Sequence, residues 1–503
     1  SVMGNYTFKL TFEQYSVILV CMAFFFTFLR LHEVKVTEKR VFHIAGFIVV
    51  ALGCGLFTNQ IILSDFMEEH QINIRMFRPM ESYQKYGGVL TFARSVGYAV
   101  VKKPEGYTTA KVDQIIQEYE KKSANEQQST AKQYPNIITV VNETFADIKV
   151  LGDFKTNEDY MPYFHSLKKN CVTGYTYASI VGGQTANTEF ELLTGNTLGF
   201  LSAGTTAFQL YIHGQMPSLV SNLKAEGYSG NKAMHPFNPY NYNRPAVYKD
   251  FGFTDFIDKF DFPKNVKRVR EYISDEANVD RIISEYEKNR KKTDQPFYMY
   301  NMTIQNHSPY DKDAANFKQP IKIESSKYDA EANRYLNLIK YSDDSLKQLT
   351  SYFEKCKEPT IILFLGDHQP RLTDEFMNKI TNGQYQTWSS EQMMKRYQVP
   401  FVIWANYDIK EQHIEKASMN YIQSILTQTA GVKMTGYQRF LNEVRKEVPT
   451  ITSQGYWGKN GKFYQINDKG SPYYGIIQKY RMIQYNMMFD KKNRRDSFFE
   501  VSK

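Results

Sequence analysis

Cysteine is scarce in this chain: Cys21, Cys54, Cys171 and Cys356 are the only four in 503 residues. That is too few for a disulfide scaffold, and none has the paired spacing of a zinc finger. Cys21 and Cys54 lie in strongly apolar runs, while Cys171 and Cys356 either pair, if their domain is extracellular, or stand as unpaired buried thiols. An excess of one charge is also missing. The formal net charge of +9 is modest for this length and the Lys and Arg residues are spread out, so nothing in it signals nucleic acid. A basic surface near anionic lipid explains the balance as well. No internal repeat is visible, and a hydrophobic content of 42% excludes a disordered chain and can fill a sizeable core.

Long apolar runs are present, at residues 15–31 and 41–63, each about the length that crosses a hydrocarbon core. Arg30 closes the first, and His43 and Asn59 dilute the second. Lys35, Lys39 and Arg40 cluster between them, which places that loop in the cytoplasm and everything after the second run outside. The first run lacks a basic n-region and a small-residue cleavage site, so it does not read as a signal peptide. Two transmembrane helices are predicted, and because the chain starts at Ser1 more can precede them.

The expected organisation is four segments: 1–64, two transmembrane helices with a cytoplasmic loop; 65–132, a juxtamembrane helical linker; 133–437, an extracellular catalytic domain; and 438–503, a C-terminal extension packed on it. In the linker, Phe66, Met67, Ile72, Ile74, Met76, Leu90, Phe92 and Val96 among basic residues suggest a partly amphipathic helix resting on lipid or on the next domain. The third segment opens with Ile137-Ile138-Thr139-Val140-Val141, a β-branched run suited to a strand buried on both faces. Comparable runs recur at residues 297–304, 360–365 and 400–404, with helical patterns at 278–292 and 330–355 between them. Strands alternating with helices predict an α/β fold: a mostly parallel sheet sandwiched by helices. Short strands and a last helix are expected in the tail.

Ligands gather at the carboxyl ends of the strands in such a sheet, so the residues just after each run carry the chemistry. The first run ends at Asn142-Glu143-Thr144-Phe145, the second continues into Asn306-His307, and the third ends at Gly366-Asp367-His368-Gln369-Pro370. Taken singly, Glu143 reads first as an ion-pair partner, Asp367 as a turn former and His307 as a core histidine; their joint appearance at strand ends shifts the balance, and Glu143, Asp367, His368 and Thr185 supply a set a divalent cation favours. Gly182-Gly183-Gln184-Thr185-Ala186-Asn187-Thr188 adds a hydroxyl. Its glycines permit a sharp turn, Asn187 or Thr188 can cap a short helix, and Thr185 then stands near a helix N-terminus that favours an alkoxide or a phosphate. A loop from His235 to Arg244 offers His235 as a donor, Tyr242 as a ring against a glycerol or sugar, and Arg244 as a bidentate phosphate grip.

In order and spacing, these motifs resemble the lipoteichoic acid synthase-like phosphoglycerol transferases of the alkaline phosphatase and sulfatase superfamily. The resemblance covers residues 133–436. The forms Asn-Glu-Thr-Phe, Thr-Ala-Asn-Thr-Glu-Phe-Glu and Asp-His-Gln-Pro look closest to the branch that adds glycerol phosphate to rhamnose-rich wall polysaccharides. The resemblance implies a sulfatase/alkaline phosphatase-like fold with a C-terminal α+β extension. It implies one Mn²⁺ or Mg²⁺ held by Glu143, Thr185, Asp367 and His368, with Thr185 as nucleophile. His235, Arg244 and His307 would contact glycerol phosphate, Tyr242 would line the same site, and His307 would either steady phosphoryl oxygens or handle a proton. Phe237 and Tyr242 stand where lipoteichoic acid synthases have an acidic residue and a tryptophan, so acceptor contacts need not be shared. The implied activity moves glycerol phosphate from phosphatidylglycerol to a wall polysaccharide, teichoic acid or glycolipid acceptor, outside the membrane of a Gram-positive type of cell, with no nucleic-acid partner. The Cys/Ser-x-Pro-x-Arg sulfatase signature is absent. A phosphoethanolamine transferase and a non-catalytic polysaccharide-binding relic of the fold are the alternatives.

Overall fold

A computed structural model describes residues 40–63, 79–98, 101–123, 133–324, 329–383 and 385–501. The chain divides into two compact units, residues 1–100 and 101–503.

In the first unit the second apolar run forms an 18-residue α-helix, Arg40–Phe57, that changes to a π-helical turn over Thr58–Leu63. Among the described residues no helix is long and apolar enough to cross a membrane. This corrects the predicted second transmembrane helix. At 1.5 Å per residue, the regular helix reaches about 27 Å, short of a hydrocarbon core of about 30 Å, and the turn at Thr58 interrupts its continuation. The first apolar run lies outside the described residues, as do Lys35, Lys39, Phe66, Met67, Ile72, Ile74 and Met76. Two helices come next, Pro79–Tyr86 and Gly88–Tyr98. The second buries Thr91, Ala93, Arg94 and Tyr98 and leaves Val89, Phe92 and Val96 exposed.

The second unit is built on an eight-stranded sheet. Its strands in chain order are β1 (Asn136–Asn142), β2 (Cys171–Tyr177), β3 (Ser229–Met234) and β4 (Asp255–Ile257). A two-stranded ribbon, β5 (Arg268–Val269) and β6 (Tyr272–Ile273), interrupts them. The sheet resumes with β7 (Phe297–Met302), β8 (Thr360–Gly366), β9 (Gln398–Ala405) and β10 (Gln412–Ser418). The spatial order is β10-β2-β9-β8-β1-β7-β3-β4. Every neighbouring pair is parallel except those of β9, which runs against both β2 and β8. The mostly parallel sheet expected from the alternating pattern is therefore present, made mixed by the antiparallel β9.

Strands β1, β7 and β8 are buried at every residue, as uninterrupted Ile, Val, Leu, Tyr and Met runs require when helices cover both faces. Two apolar layers result. One packs Phe190, Leu193, Val247, Tyr248, Ile422 and Phe440 on one face, and the other packs Ile282, Tyr335, Leu346 and Phe376 on the opposite face. The long helices are Asp275–Arg290, capped by the Ser274 hydroxyl, and Ala330–Phe353. The tail adds a three-stranded antiparallel sheet, β11 (Thr450–Thr452), β12 (Gly455–Trp457) and β13 (Phe463–Tyr464), and a helix, Tyr474–Met488. Cys171 and Cys356 are free thiols.

Because β1 lies between β7 and β8 in parallel register, with Asn142 opposite Gly366 and Val141 opposite Met302, the three chain segments leave the sheet at one edge. The antiparallel β9 ends at the other edge, away from these three.

Candidate active site

At the end of β1 the chain turns through Thr144, whose φ of 54° is a left-handed conformation that a β-branched residue adopts only under constraint. The constraint is a set of hydrogen bonds. Thr144 donates its N–H to Asp367 Oδ1 at 2.6 Å and its hydroxyl to Glu143 Oε1 at 2.7 Å, and its carbonyl accepts from the Tyr335 hydroxyl at 2.9 Å. Asp367 Oδ1 also accepts the His368 N–H at 2.8 Å, so one carboxylate oxygen is fully used and Oδ2 faces inward. His368 Nδ1 donates to the Gln369 carbonyl at 3.0 Å; a carbonyl only accepts, so Nδ1 carries the proton and Nε2 presents its lone pair.

These atoms converge. His368 Nε2 lies 3.3 Å from Asp367 Oδ2 and 3.7 Å from Glu143 Oε1. All three side chains are buried, and their ligand atoms fall within 4.8 Å of one another, a group able to hold a metal ion. Asp367 Oδ2 and His368 Nε2 are buried without any hydrogen-bond partner. Burial, and next the Asp367 charge, push Glu143 up to about 8. Two acids and an imidazole lone pair facing one point, with two orphaned ligand atoms, suit a hard or borderline divalent cation.

Thr185 closes the group, its hydroxyl 3.4 Å from Glu143 Oε2. It is the first residue of the helix Thr185–Thr194, preceded by Gln184 in the left-handed region at φ 66°. The helix therefore starts earlier than a cap at Asn187 or Thr188 would allow. Inside it, Asn187 bridges the Thr205 carbonyl and the Ala207 N–H, and the Thr188 hydroxyl donates to the Asp367 carbonyl at 2.8 Å. The turn into the helix needs Gly182, at φ 66°, whose N–H donates to the Gln369 carbonyl; a Cβ there would stand 3.0 Å from that of Arg371. Thr185 Oγ1 thus sits at the positive end of a buried helix beside the acidic group.

The loop after β3 supplies the next layer. His235 is buried and bonds Met302 O through Nδ1 at 3.0 Å, and burial, then the Arg244 charge, hold it well below the ordinary histidine range. Arg244 is buried too, and its Nε and Nη2 both go to Glu189 Oε1, at 3.0 and 2.7 Å. The edge expected to grip a phosphate is thus committed to Glu189, and Nη1 keeps only a 3.5 Å contact with the Asn241 carbonyl. Glu189 Oε2 accepts from the Tyr248 and Tyr300 hydroxyls. Tyr242, at φ 60°, packs its ring 5.1 Å from the Arg244 guanidinium. His307 bonds the Ser308 carbonyl through Nδ1 at 2.7 Å, which leaves Nε2 open, and its ring lies near-parallel to Phe237 at 6.3 Å and 5.7 Å from Tyr272.

Residues not singled out in the sequence hold this arrangement. Glu189 stands in the motif as one helix residue among several; its only signal is a carboxylate four positions after Thr185 on a helix that must be buried. Beneath the site, Asp275 Oδ2 accepts from Asn142 at 2.7 Å and Ser342 at 2.6 Å, and Asn306 bonds Asn142 and Ser342 in turn. This ties the ends of β1 and β7 to two helices.

A hydroxyl on a buried helix N-terminus, facing a carboxylate–imidazole group at the carboxyl edge of a mostly parallel sheet, defines an α/β domain of the alkaline phosphatase superfamily. The chain belongs to the sulfatase family, whose model matches residues 135–432. Among curated proteins it is 30% identical over 433 residues to a putative cyclic beta-1,2-glucan modification protein of Rhizobium meliloti (strain 1021), covering 84% of this chain and 65% of that one. It is 23% identical over 374 residues to the lipoteichoic acid synthase of Staphylococcus saprophyticus, covering 71% of this chain and 55% of that one. The chain therefore spans somewhat under two thirds of the length of these relatives. Among solved structures, the Streptococcus pyogenes phosphoglycerol transferase GacH in complex with sn-glycerol-1-phosphate superposes with a TM-score of 0.65 at 20% identity, over 80% of this chain and 100% of that one. That likeness is one of fold. Enzymes of this superfamily use divalent metals, and among the described residues Glu143, Asp367 and His368 form a group that could hold one.

Proposed function

We propose that this protein is a phosphotransferase that moves glycerol phosphate from phosphatidylglycerol to a hydroxyl of a polysaccharide or teichoic acid acceptor, through a glycerophospho-threonine on Thr185. The observation that carries this reading is the meeting of the Thr185 hydroxyl with Glu143, Asp367 and His368 at one point. The names of the relatives, a glucan modification protein and a lipoteichoic acid synthase, support the acceptor class.

Glu143, Thr185, Asp367 and His368 would hold one Mn²⁺ or Mg²⁺ ion. When bound, the ion supplies Lewis-acid polarisation of a phosphoryl oxygen and lowers the proton affinity of an adjacent hydroxyl. Thr185 directs its proton at Glu143 Oε2 and attacks phosphorus. The Thr185 Oγ1–P bond forms as the bond from phosphorus to the diacylglycerol oxygen breaks, and the departing oxygen takes a proton from His307 Nε2. In the second half an acceptor hydroxyl attacks; its O–P bond forms, the Thr185 O–P bond breaks, the acceptor proton returns to His307 Nε2, the nitrogen left open by the Ser308 carbonyl, and Thr185 Oγ1 recovers its proton from Glu143. His235, Arg244 through Nη1, and Tyr242 line the glycerol phosphate. Helix N–H groups at Thr185 face the developing negative charge.

A lipid donor requires access to a membrane. The first unit supports this with Val49, Leu52, Leu56, Val89 and Phe92 all exposed, an apolar surface larger than isolated side chains make. The reading places the protein at the cell membrane with the second unit outside.

The test is release of diacylglycerol from labelled phosphatidylglycerol, with intact-mass detection of the glycerophospho adduct. Wild type is expected to release it and to carry the adduct on Thr185. Equal release by Thr185→Ala would sink the proposed nucleophile. Phosphatidylethanolamine as donor separates this reading from a phosphoethanolamine transferase.

A further inference from the structure

Among the described residues of the second unit, two large apolar side chains stand exposed, Tyr240 at 64% and Phe260 at 74%. Both are aromatic, and both lie on the His235–Arg244 loop or a segment tied to it. Tyr240 lies in the loop between His235 and Arg244. Phe260 comes after β4 on a segment stitched to that loop: His235 donates its N–H to Ile257 O at 2.9 Å and Lys259 donates to Phe237 O at 3.4 Å. The Lys259 ammonium lies 5.0 Å from the Phe260 ring and 5.9 Å from the Phe237 ring, and Phe237 in turn stacks beside His307. Phe260 and Phe237 thus share one lysine, and Phe237 carries the contact on to His307.

We propose that Tyr240 and Phe260 form an acceptor-side platform on which a pyranose ring of a saccharide stacks, presenting its hydroxyl toward His307. The proposal rests on the phosphotransferase reading above and gives it an acceptor subsite. An exposed aromatic ring offers a flat, electron-rich face that matches the C–H face of a sugar. The neighbours are polar: Asn241 and Asp261 are exposed, and Asn238 and Asp258 are half-buried, so hydrogen-bonding groups rim each ring. A bilayer would call for contiguous aliphatic area, which this rim lacks. A phosphate-rich polymer would be opposed by Asp258 and Asp261, with Lys259 partly engaged by the two rings.

The full chain is titrated calorimetrically with a β-1,2-linked glucan oligosaccharide and, separately, with glycerol phosphate oligomers. Wild type is expected to bind the glucan. Tyr240→Ala and Phe260→Ala should each weaken it about three- to tenfold, or roughly 0.7–1.4 kcal/mol, while Phe260→Trp keeps the affinity. Both side chains are exposed, so the variants fold, and equal melting temperatures check this. The platform is overturned if the double alanine variant binds as wild type does, if wild type ignores the glucan, or if the loss falls on the glycerol phosphate oligomers instead. Diacylglycerol release by wild type is measured in parallel. Its absence would remove the transferase reading yet leave the saccharide measurement to decide the platform.

Discussion

Glu189 and Arg244 form a buried ion pair, Nη2 to Oε1 at 2.7 Å with both side chains at most 2% exposed. Glu189 is on the Thr185 helix, four residues on, and Arg244 opens the helix Arg244–Phe251. The pair therefore locks the Thr185 helix to the His235–Arg244 loop. Breaking such a pair from one side leaves a buried charge and costs about 3–5 kcal/mol. Glu189→Gln is expected to lower the melting temperature and to cut turnover by more than tenfold. Combined with Arg244→Met, which removes the stranded charge, stability should recover in part while activity does not. Calorimetry and diacylglycerol release on the three variants check both outcomes.

Removing divalent metal should destabilise the second unit. Binding to the folded state alone contributes about 2.7 kcal/mol at a hundredfold excess over Kd. For a unit of this size that corresponds to a melting shift of roughly 3 °C. Chelation should produce the drop in wild type and nothing in Asp367→Asn, as monitored by differential scanning calorimetry. Equal drops in both would place the ion elsewhere.

Glu191 should give stability a pH dependence. It is buried on the same helix, accepts from Ser179, Thr197 and the Leu198 N–H on Oε1, and leaves Oε2 without a partner. Burial pushes it up to about 7. The folded form thus binds a proton the unfolded chain has lost, so its contribution is present in full below about 4.5 and disappears as pH rises through about 7. Glu191→Gln should remove that slope and be more stable than wild type at pH 8 by about 3 kcal/mol, with little difference near pH 4.5. Denaturant melts at the two values measure it.

Gly366 tolerates no side chain. A Cβ there would stand 1.8 Å from the Phe145 carbonyl oxygen, in the loop that carries Glu143. Gly366→Ala is expected to displace that loop from Asp367, lowering melting temperature and metal affinity together. A variant that melts and binds Mn²⁺ as wild type does would show that the loop moves freely.

Much of this was written into the linear chain. The runs that form β1, β7 and β8 are continuous and β-branched or aromatic, and such runs have few options but a covered sheet. Parallel strands deliver the residues at their carboxyl ends to one edge, so Glu143, Asp367 and His368 were legible as neighbours before any coordinates. Strands β2, β3, β4 and β10 were not. Cys171–Tyr177 and Ser229–Met234 mix small and polar residues, and their pairing comes from the sheet they join. The antiparallel course of β9 is equally a tertiary choice, since a buried run reads the same in either direction.

The sequence by itself determined the chemistry available: a threonine after two glycines, acids and a histidine at strand ends, an arginine and aromatics in one loop. Only the tertiary structure decided how each was used. It committed the Arg244 fork to Glu189, turned His368 Nε2 and Asp367 Oδ2 inward unpartnered, started the Thr185 helix at the threonine itself, and left Tyr240 and Phe260 in the open. The reason is that residue type fixes which bonds a group can make, whereas burial and long-range pairing fix which partner it meets.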